Sequence, residues 1–221
     1  MSTTTPLSEV YRQLFAAYGP QHWWPAGSPF EVMVGAVLTQ NTAWANVERA
    51  IANLRQQRAL DATAILAAPV GQLADWLRPS GYFNVKAVRL QHLCRWYLEA
   101  GGHAALRGLS TPVLRQALLD VHGVGPETAD DILLYAFDRP VFVIDAYTRR
   151  LFARLGLCSG DEPYEELRAM LEGALLPDVA LYNEYHALIV RHAKAVCRVR
   201  ALCIDCVLNS SCPGRDDIVS G

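Results

Sequence analysis

The feature that most constrains the fold is a glycine turn between two apolar segments of helical period. Gly123 and Gly125 flank Val124 in this turn, and Pro126 follows where the first residue of a helix would lie. Beyond it, apolar residues recur at helical spacing and form one face: Ala129, Ile132, Leu133 and Ala136. The pattern predicts a helix, a tight turn and a second helix. The first backbone N–H groups of that second helix could bind a phosphate, a contact that positions a nucleic acid without reading its bases.

A short apolar run and an aspartate follow the second predicted helix. The run covers residues 141–144, reads VFVI, and is too short and isolated to build a sheet; Asp145 comes directly after it. An aspartate before a helix is usually an N-cap, and a Gly-Val-Gly turn is often a plain connection between helices. The residues alone therefore leave open whether this segment is structural, functional or both.

Most of the other apolar residues also recur at helical spacing, which predicts an all-α fold. The 221 residues are 52% hydrophobic, enough for a sizeable core. Residues 30–38 are apolar nearly all round and predict a buried helix. Further helices are predicted over 5–18, 44–54, 60–67, 70–77, 84–100, 111–120, 146–156, 163–175 and 178–197.

Composition bears on location and on partners. No apolar run reaches transmembrane length and the N-terminus lacks a signal-peptide pattern, so we expect a cytoplasmic protein without membrane contact, nucleoid-associated if it binds DNA. The net charge of −2 does not indicate nucleic-acid binding, so a DNA-binding face would have to be a local basic patch. Candidate basic residues, each of which could equally lie on a solvated helix face, are Arg149, Arg150, Arg154, Arg191, Lys194, Arg198 and Arg200.

Four cysteines are clustered near the C-terminus with the spacing C-x5-C-x2-C-x5-C: Cys197, Cys203, Cys206 and Cys212. In a chain without a secretion signal, such a cluster indicates metal binding rather than disulfides. Four thiolates suit either a [4Fe–4S] cluster or a structural zinc ion. The spacing alone does not choose between them, because zinc also favours a C-x2-C pair.

The Gly-Val-Gly turn followed by Asp145 resembles the helix-hairpin-helix motif of the endonuclease III superfamily of DNA glycosylases. The resemblance covers most of the chain and implies two helical lobes with an active-site cleft between them. Residues 25–137 would form a six-helix block whose hairpin spans about 113–136. Residues 1–24 and 138–221 would form a second lobe, in which residues 197–212 carry the cysteine cluster.

The resemblance also assigns roles to individual residues. Asp145 stands where the family keeps its catalytic carboxylate, which stabilises the oxocarbenium-like sugar and can orient or deprotonate water. The four cysteines stand where relatives carry a [4Fe–4S] cluster, although the first gap here is one residue shorter than usual. Contacts to the DNA backbone are expected from Gly123, Val124, Gly125 and Arg149.

Lysine content bears on the type of reaction. Bifunctional relatives place a nucleophilic lysine just after the glycine turn, where this chain has Glu127, and a glutamate cannot form a Schiff base. The chain has only two lysines, Lys86 and Lys194, and the residue corresponding to Lys86 is not the nucleophile in relatives. We therefore expect a monofunctional glycosylase without significant lyase activity. Glu127 could contact the base or complement the helix dipole.

Three segments resemble the branch of the superfamily that excises 3-methyladenine: WWP at 23–25, GAVLTQNT at 35–42 and RPSGYFNVKA at 78–87. Trp23, Trp24 and Trp44 are candidate base-pocket residues, and the resemblance implies that aromatic side chains at positions 23 and 44 line the pocket. Cation–π attraction would favour a positively charged alkylated purine there. Packing in the core is the alternative for each tryptophan. Gln40 matches a residue inserted into the space left by the flipped base, and Tyr82 matches a wedge position.

The leading hypothesis is a monomeric, monofunctional glycosylase that removes alkylated purines from double-stranded DNA. The first alternative is a glycosylase of the same fold acting on oxidised pyrimidines or mismatched bases. A non-catalytic helix-hairpin-helix protein that only binds DNA would not need Asp145. An iron–sulfur electron carrier would show no salt-dependent affinity for duplex DNA.

Overall fold

The computed structural model describes residues 6–214, and it is all-α. Its α-helices, in chain order, are α1 (Pro6–Tyr18), α2 (Pro29–Leu38), α3 (Trp44–Gln56), α4 (Ala62–Ala67), α5 (Val70–Leu77), α6 (Phe83–Glu99), α7 (Gly102–Arg107), α8 (Thr111–Leu119), α9 (Pro126–Phe137), α10 (Ala146–Arg154), α11 (Tyr164–Ala174) and α12 (Val179–Ala195). Short 3-10 turns cover Arg78–Ser80, Cys203–Asp205 and Asn209–Ser211. Within residues 6–214 there is no β-strand.

The chain forms two compact units. One unit comprises Trp24–Arg139 and contains α2 to α9. The other comprises the described residues up to Trp23 together with those from Pro140 onward, and it contains α1 and α10 to α12. The expected six-helix block corresponds to eight helices in the first unit, of which α4 and α7 have only six residues each.

Helix α2 forms the centre of the Trp24–Arg139 unit. Ser28 caps its N-terminus by accepting a hydrogen bond from the Glu31 backbone N–H, and every residue from Val32 to Leu38 is buried. A helix that is apolar on all sides must be surrounded by others, and α2 packs against α9, α6 and α3. The sequence pattern therefore predicted the burial of this helix correctly.

An ion pair joins the two helices of the hairpin. Arg115 of α8 donates from Nε to Asp130 Oδ1 at 2.7 Å and from Nη2 to Oδ2 at 3.2 Å. The Asp130 side chain is completely buried, and this bidentate contact with the Arg115 guanidinium stabilises its carboxylate. Losing one partner of such a pair typically costs about 3–5 kcal/mol, because the other charge is left without compensation. The pair therefore fixes α8 against α9.

In the other unit, buried tyrosines and the segment 141–144 organise the packing. Tyr185 of α12 donates a hydrogen bond to the Leu7 backbone oxygen at 2.8 Å and so ties α12 to α1. Residues 141–144 are buried and have no assigned secondary structure. The Phe142 N–H donates to Glu172, and the Ile144 N–H lies 3.3 Å from the Tyr164 hydroxyl oxygen, so side chains replace a partner strand.

The predicted helices agree with the observed ones to within a few residues, and α7 was missed. Asp61 explains why α4 begins at Ala62, since its side chain accepts hydrogen bonds from the Thr63 and Ala64 N–H groups. Helix α7 begins at the second of two glycines with positive φ, Gly101 and Gly102, and these residues mask a helical signal. Across the described part of the chain, the helices are too short or too polar to cross a membrane.

Candidate functional site

Asp145 lies at the N-terminus of α10 and has a partner for each carboxylate oxygen. Its Oδ1 accepts a hydrogen bond from the Thr148 N–H at 2.7 Å, which is the helix cap. Its Oδ2 lies 3.4 Å from Nε2 of His186 on α12. Burial raises the pKa of the Asp145 carboxyl, but His186 and the Thr148 N–H outweigh burial and hold the pKa below its ordinary value. The side chain is thus a mostly buried carboxylate that stays ionised.

Trp23, Lys194 and Tyr147 belong to the same unit as Asp145. The Lys194 ammonium lies 6.0 Å from the centroid of the Trp23 ring and 5.7 Å from that of Tyr147. Tyr147, two residues after Asp145, also has the Arg150 guanidinium 5.2 Å from its ring centroid. These contacts gather cations and aromatic faces close in sequence to the candidate carboxylate.

Trp24 and Trp44 form a second aromatic group, in the Trp24–Arg139 unit. Their ring centroids lie 4.9 Å apart at an interplanar angle of 83°, and Tyr135 of α9 lies at the same centroid distance from Trp24. The Trp24 ring rests against Gly35 of α2, where an added Cβ would lie 3.2 Å from Trp24 Cζ2. Glycine at position 35 therefore lets the indole approach the helix closely.

The hairpin turn has one crowded glycine and one open glycine. Gly123 has φ +91°, and an added Cβ would lie 2.3 Å from Arg89 Cγ, so both the backbone and the available space require glycine. Gly125 has φ −95° at the N-cap of α9, and an added Cβ would have no neighbour within 4 Å. Val124 between them is buried. Gly125 is exposed, so a ligand could approach the turn from the side of this residue.

The Gln40 side chain is engaged with this turn. Its Nε2 donates to the Gly123 backbone oxygen at 3.0 Å and lies 2.9 Å from Thr128 Oγ1, while its Oε1 accepts from Arg89 Nη1 at 2.5 Å. The amide thus joins the loop after α2 to both ends of the turn. Insertion of Gln40 into DNA, as the resemblance implies, would require these contacts to break.

The remaining predicted DNA and pocket residues lie in different settings. Tyr82 is 71% exposed and has φ +45°, a strained conformation for a residue with a bulky side chain. Glu127 is exposed in the first turn of α9. The Arg149 guanidinium donates to the backbone oxygens of Gly160 and Glu162, which ties α10 to the following loop.

The four clustered cysteines line one cavity, together with Arg154 and His192. Arg154 Nη1 lies 3.3 Å from Cys197 Sγ, and His192 Nε2 lies 3.6 Å from Cys206 Sγ. Burial raises the pKa of the Cys206 thiol, and the charges of the other three cysteines raise it further. A cation among the four sulfurs would offset this repulsion, so the donor set suits a bound metal centre.

A comparison with family models identifies the fold and its chemistry. Residues 34–176 match the HhH-GPD superfamily base excision DNA repair protein. This chain belongs to that superfamily. As an HhH-GPD protein it is a DNA glycosylase of base excision repair, and DNA is its partner.

Individual HhH-GPD relatives match over nearly the whole chain. The "Putative DNA repair glycosylase MJ1434" of Methanocaldococcus jannaschii is 46% identical over 209 residues, which cover 93% of this chain and 95% of that protein. Endonuclease III of Thermotoga maritima is 27% identical over 207 residues, with coverages of 93% and 92%.

Solved structures show the same HhH-GPD architecture. The H. pylori 3-methyladenine DNA glycosylase MagIII, bound to 1,N6-ethenoadenine, is 29% identical with a TM-score of 0.74, covering 84% of this chain and 96% of that one. An endonuclease III–DNA complex superposes over the full length of both chains with a TM-score of 0.85 at 20% identity, which establishes the fold.

Sequence reasoning about this HhH-GPD chain missed several residues near its candidate sites. His186 and Tyr135 lie on apolar helices, where a histidine or a tyrosine reads as part of the core. Arg89 reads as a surface arginine of α6, yet it covers Gly123. No sequence signal identified these three residues, because each acquires its partner through tertiary packing.

Proposed function

We propose that this HhH-GPD glycosylase is monofunctional and hydrolyses the N-glycosidic bond of alkylated purines such as 3-methyladenine. The observation that carries the substrate proposal is the group of Trp24, Trp44 and Tyr135. Electron-rich rings attract a cationic base by about 0.5–2 kcal/mol each, and a positively charged base also leaves the sugar more readily. The likeness to the H. pylori 3-methyladenine DNA glycosylase supports the same substrate class.

In this proposal Asp145 is the catalytic carboxylate. The flipped nucleotide's sugar becomes positively charged as the bond to the base breaks, and a fixed, ionised carboxylate lowers the energy of that charge. The buried position of Asp145 supports the assignment, because electrostatic interactions are stronger away from water.

The settings of the two lysines support hydrolysis without lyase chemistry. Lys86 Nζ is buried and donates to the backbone oxygens of Leu38 and Ser80 at 2.9 and 2.6 Å. Burial lowers the pKa of Lys86 to about 8, which suits a nucleophile, but the side chain is only 1% exposed and its donors bind carbonyls. Lys194 faces two aromatic rings. Glu127 occupies the usual lysine position, where it complements the N-terminal end of the α9 dipole.

For DNA binding, we propose that the phosphate backbone contacts the hairpin at Gly123–Gly125. The open side of Gly125 supports this contact. Tyr82 is proposed as the residue that fills the space left by the base, since it is exposed on a strained turn, whereas the Gln40 amide has three partners within its own unit. Arg149 would contact phosphate only after leaving its two carbonyl partners.

For the cysteines, we propose a [4Fe–4S] cluster rather than zinc. The four thiols line one cavity. The likeness to endonuclease III supports the iron–sulfur centre, because the resemblance places a [4Fe–4S] cluster at these four cysteines. When bound, the cluster would cross-link the C-terminal loop to the end of α12. Iron and sulfide analysis with visible absorption of the purified protein tests this assignment.

The test of the main proposal uses two duplexes, one containing 3-methyladenine and one containing thymine glycol, each analysed with and without hot alkali. We expect strand breaks only in the alkylated duplex and only after alkali. Breaks in the thymine glycol duplex without alkali would indicate an endonuclease III-like lyase instead. The Asp145→Asn variant serves as the control for contaminating activity.

A further inference from the structure

The two oxygens of the Asp145 carboxylate are held in different ways. Oδ1 is committed to the cap of α10 through the Thr148 N–H at 2.7 Å. Oδ2 faces His186 Nε2 at 3.4 Å, which is longer than an ordinary N–H···O hydrogen bond. The side chains of Asp145 and His186 are 13% and 6% exposed, so water screens this contact weakly.

The other polar groups near this end of α10 are directed elsewhere. Arg149 binds the Gly160 and Glu162 carbonyls, and Arg150 donates to the Cys197 carbonyl. From α11, the Tyr164 hydroxyl accepts a contact from the Ile144 N–H at 3.3 Å. His186 is therefore the titratable side chain that α12 brings to Asp145, and Thr148 is the contact from α10 itself.

A buried carboxylate needs a favourable partner to stay charged. Removing water disfavours the anion, so an unpartnered carboxyl in such a place takes up a proton. A protonated Asp145 could neither stabilise a developing positive charge on the sugar nor accept a proton from water. The ring nitrogen of His186, 3.4 Å from Oδ2, is such a partner.

We propose that His186 is a positioning residue for the glycosylase reaction: it orients Oδ2 of Asp145 and keeps the carboxylate ionised in its buried setting. The inference rests on the proposed role of Asp145 as the catalytic carboxylate. His186 itself does not contact the substrate in this account; it acts through Asp145. A histidine that only filled space in α12 would affect folding, but it would not control the protonation of Asp145.

The test compares two substitutions. His186→Phe keeps a ring of similar size but removes the nitrogen, whereas His186→Gln keeps a neutral N–H donor. The titration of the Asp145 carboxyl is followed by ¹³C NMR of aspartate-labelled protein, with Asp145→Asn identifying the resonance. An opposite charge within about 4–6 Å shifts a carboxyl by about 1–3 pH units. We expect the His186→Phe midpoint to rise by at least about one unit and the His186→Gln midpoint to rise less.

The same variants are assayed for single-turnover base excision from methylated duplex DNA, from pH 8 down to the lowest pH at which each protein stays folded. We expect the acidic fall in rate to move to higher pH in His186→Phe, in parallel with the NMR midpoint. An unchanged carboxyl titration in a folded His186→Phe protein would overturn the proposal. If that variant fails to fold, an unchanged titration in His186→Gln overturns it instead. If Asp145→Asn keeps the wild-type rate, the catalytic assignment of Asp145 fails, and the NMR result still decides whether His186 controls its charge.

Discussion

The Asp145 carboxylate and the hairpin turn are each held by a few polar contacts, but the contacts differ in kind. At Asp145 a carboxylate faces a histidine, so the arrangement depends on two groups that can gain or lose protons. At the turn, a neutral amide from Gln40 binds a backbone carbonyl and a hydroxyl and accepts a hydrogen bond from the Arg89 guanidinium. With the roles proposed above, the rate of base excision should respond to pH, whereas DNA binding at the turn should not.

The different contacts of the turn and of Asp145 match the different roles proposed for them, which are DNA binding and catalysis. A phosphate-binding turn needs a fixed backbone, and steric crowding around Gly123 provides it. A group that stabilises a transition state needs a fixed charge, and the contacts of Asp145 provide that. Substitutions in the turn should consequently lower the affinity for DNA, whereas substitutions at Asp145 should lower the rate of base excision.

The largest effect is expected for Asp145→Asn. Asparagine caps a helix about as well as aspartate, so the fold and the affinity for DNA should be kept. The single-turnover rate of base excision should fall about 10²–10³-fold, because the negative charge is lost. Rates and DNA affinities measured on the same lesion duplex check this expectation. Asp145→Ala is the matched control, since it removes the cap as well and should also lower the melting temperature. A rate within tenfold of wild type would contradict the assignment.

A smaller effect, on stability and binding, is expected for the two glycines of the turn. Gly123→Ala should destabilise the protein by about 1–3 kcal/mol, because alanine is strained at φ +91° and meets Arg89. Gly125→Ala should cost about 1 kcal/mol or less, since only the N-cap preference changes. The same variant should weaken DNA binding about tenfold by obstructing a phosphate contact. Urea unfolding and DNA titrations measure both quantities. Equal stabilities of the two variants would contradict this account of the turn.

The smallest effect is expected for Gln40. Gln40→Met keeps the length of the side chain but removes the contacts to Gly123, Thr128 and Arg89, at a cost of about 1–2 kcal/mol. The resulting loss of DNA affinity should be the same at pH 6 and pH 8, since no titrating group is involved. Binding isotherms at both values test this. A loss that appears at only one pH would show that the turn is not the pH-independent region proposed above.

The sequence predicted most of the helices because their apolar faces are continuous, and it located Asp145 and the cysteines through motif spacing. It could not indicate that Trp24 packs with Tyr135, because residues 111 positions apart meet only after folding. It also could not distinguish the exposed Tyr82 from the engaged Gln40, since both lie in polar turns. His186 has no sequence signal, as a single histidine on an apolar helix is ordinary core composition.

Helix α10 has Asp145 at its beginning and contacts to the cysteine loop at its end. At its C-terminal end, the Arg154 carbonyl accepts a hydrogen bond from the Gly214 N–H and lies 3.3 Å from Cys212 Sγ. With nine residues, the helix is about 14 Å long. A helix this short does not bend easily. Movement of the cysteine loop at the C-terminal end of α10 would therefore tilt the N-terminal end of the helix. Loss of the contacts between the cysteine loop and the Arg154 carbonyl would therefore shift the Asp145 side chain at the other end of the same helix.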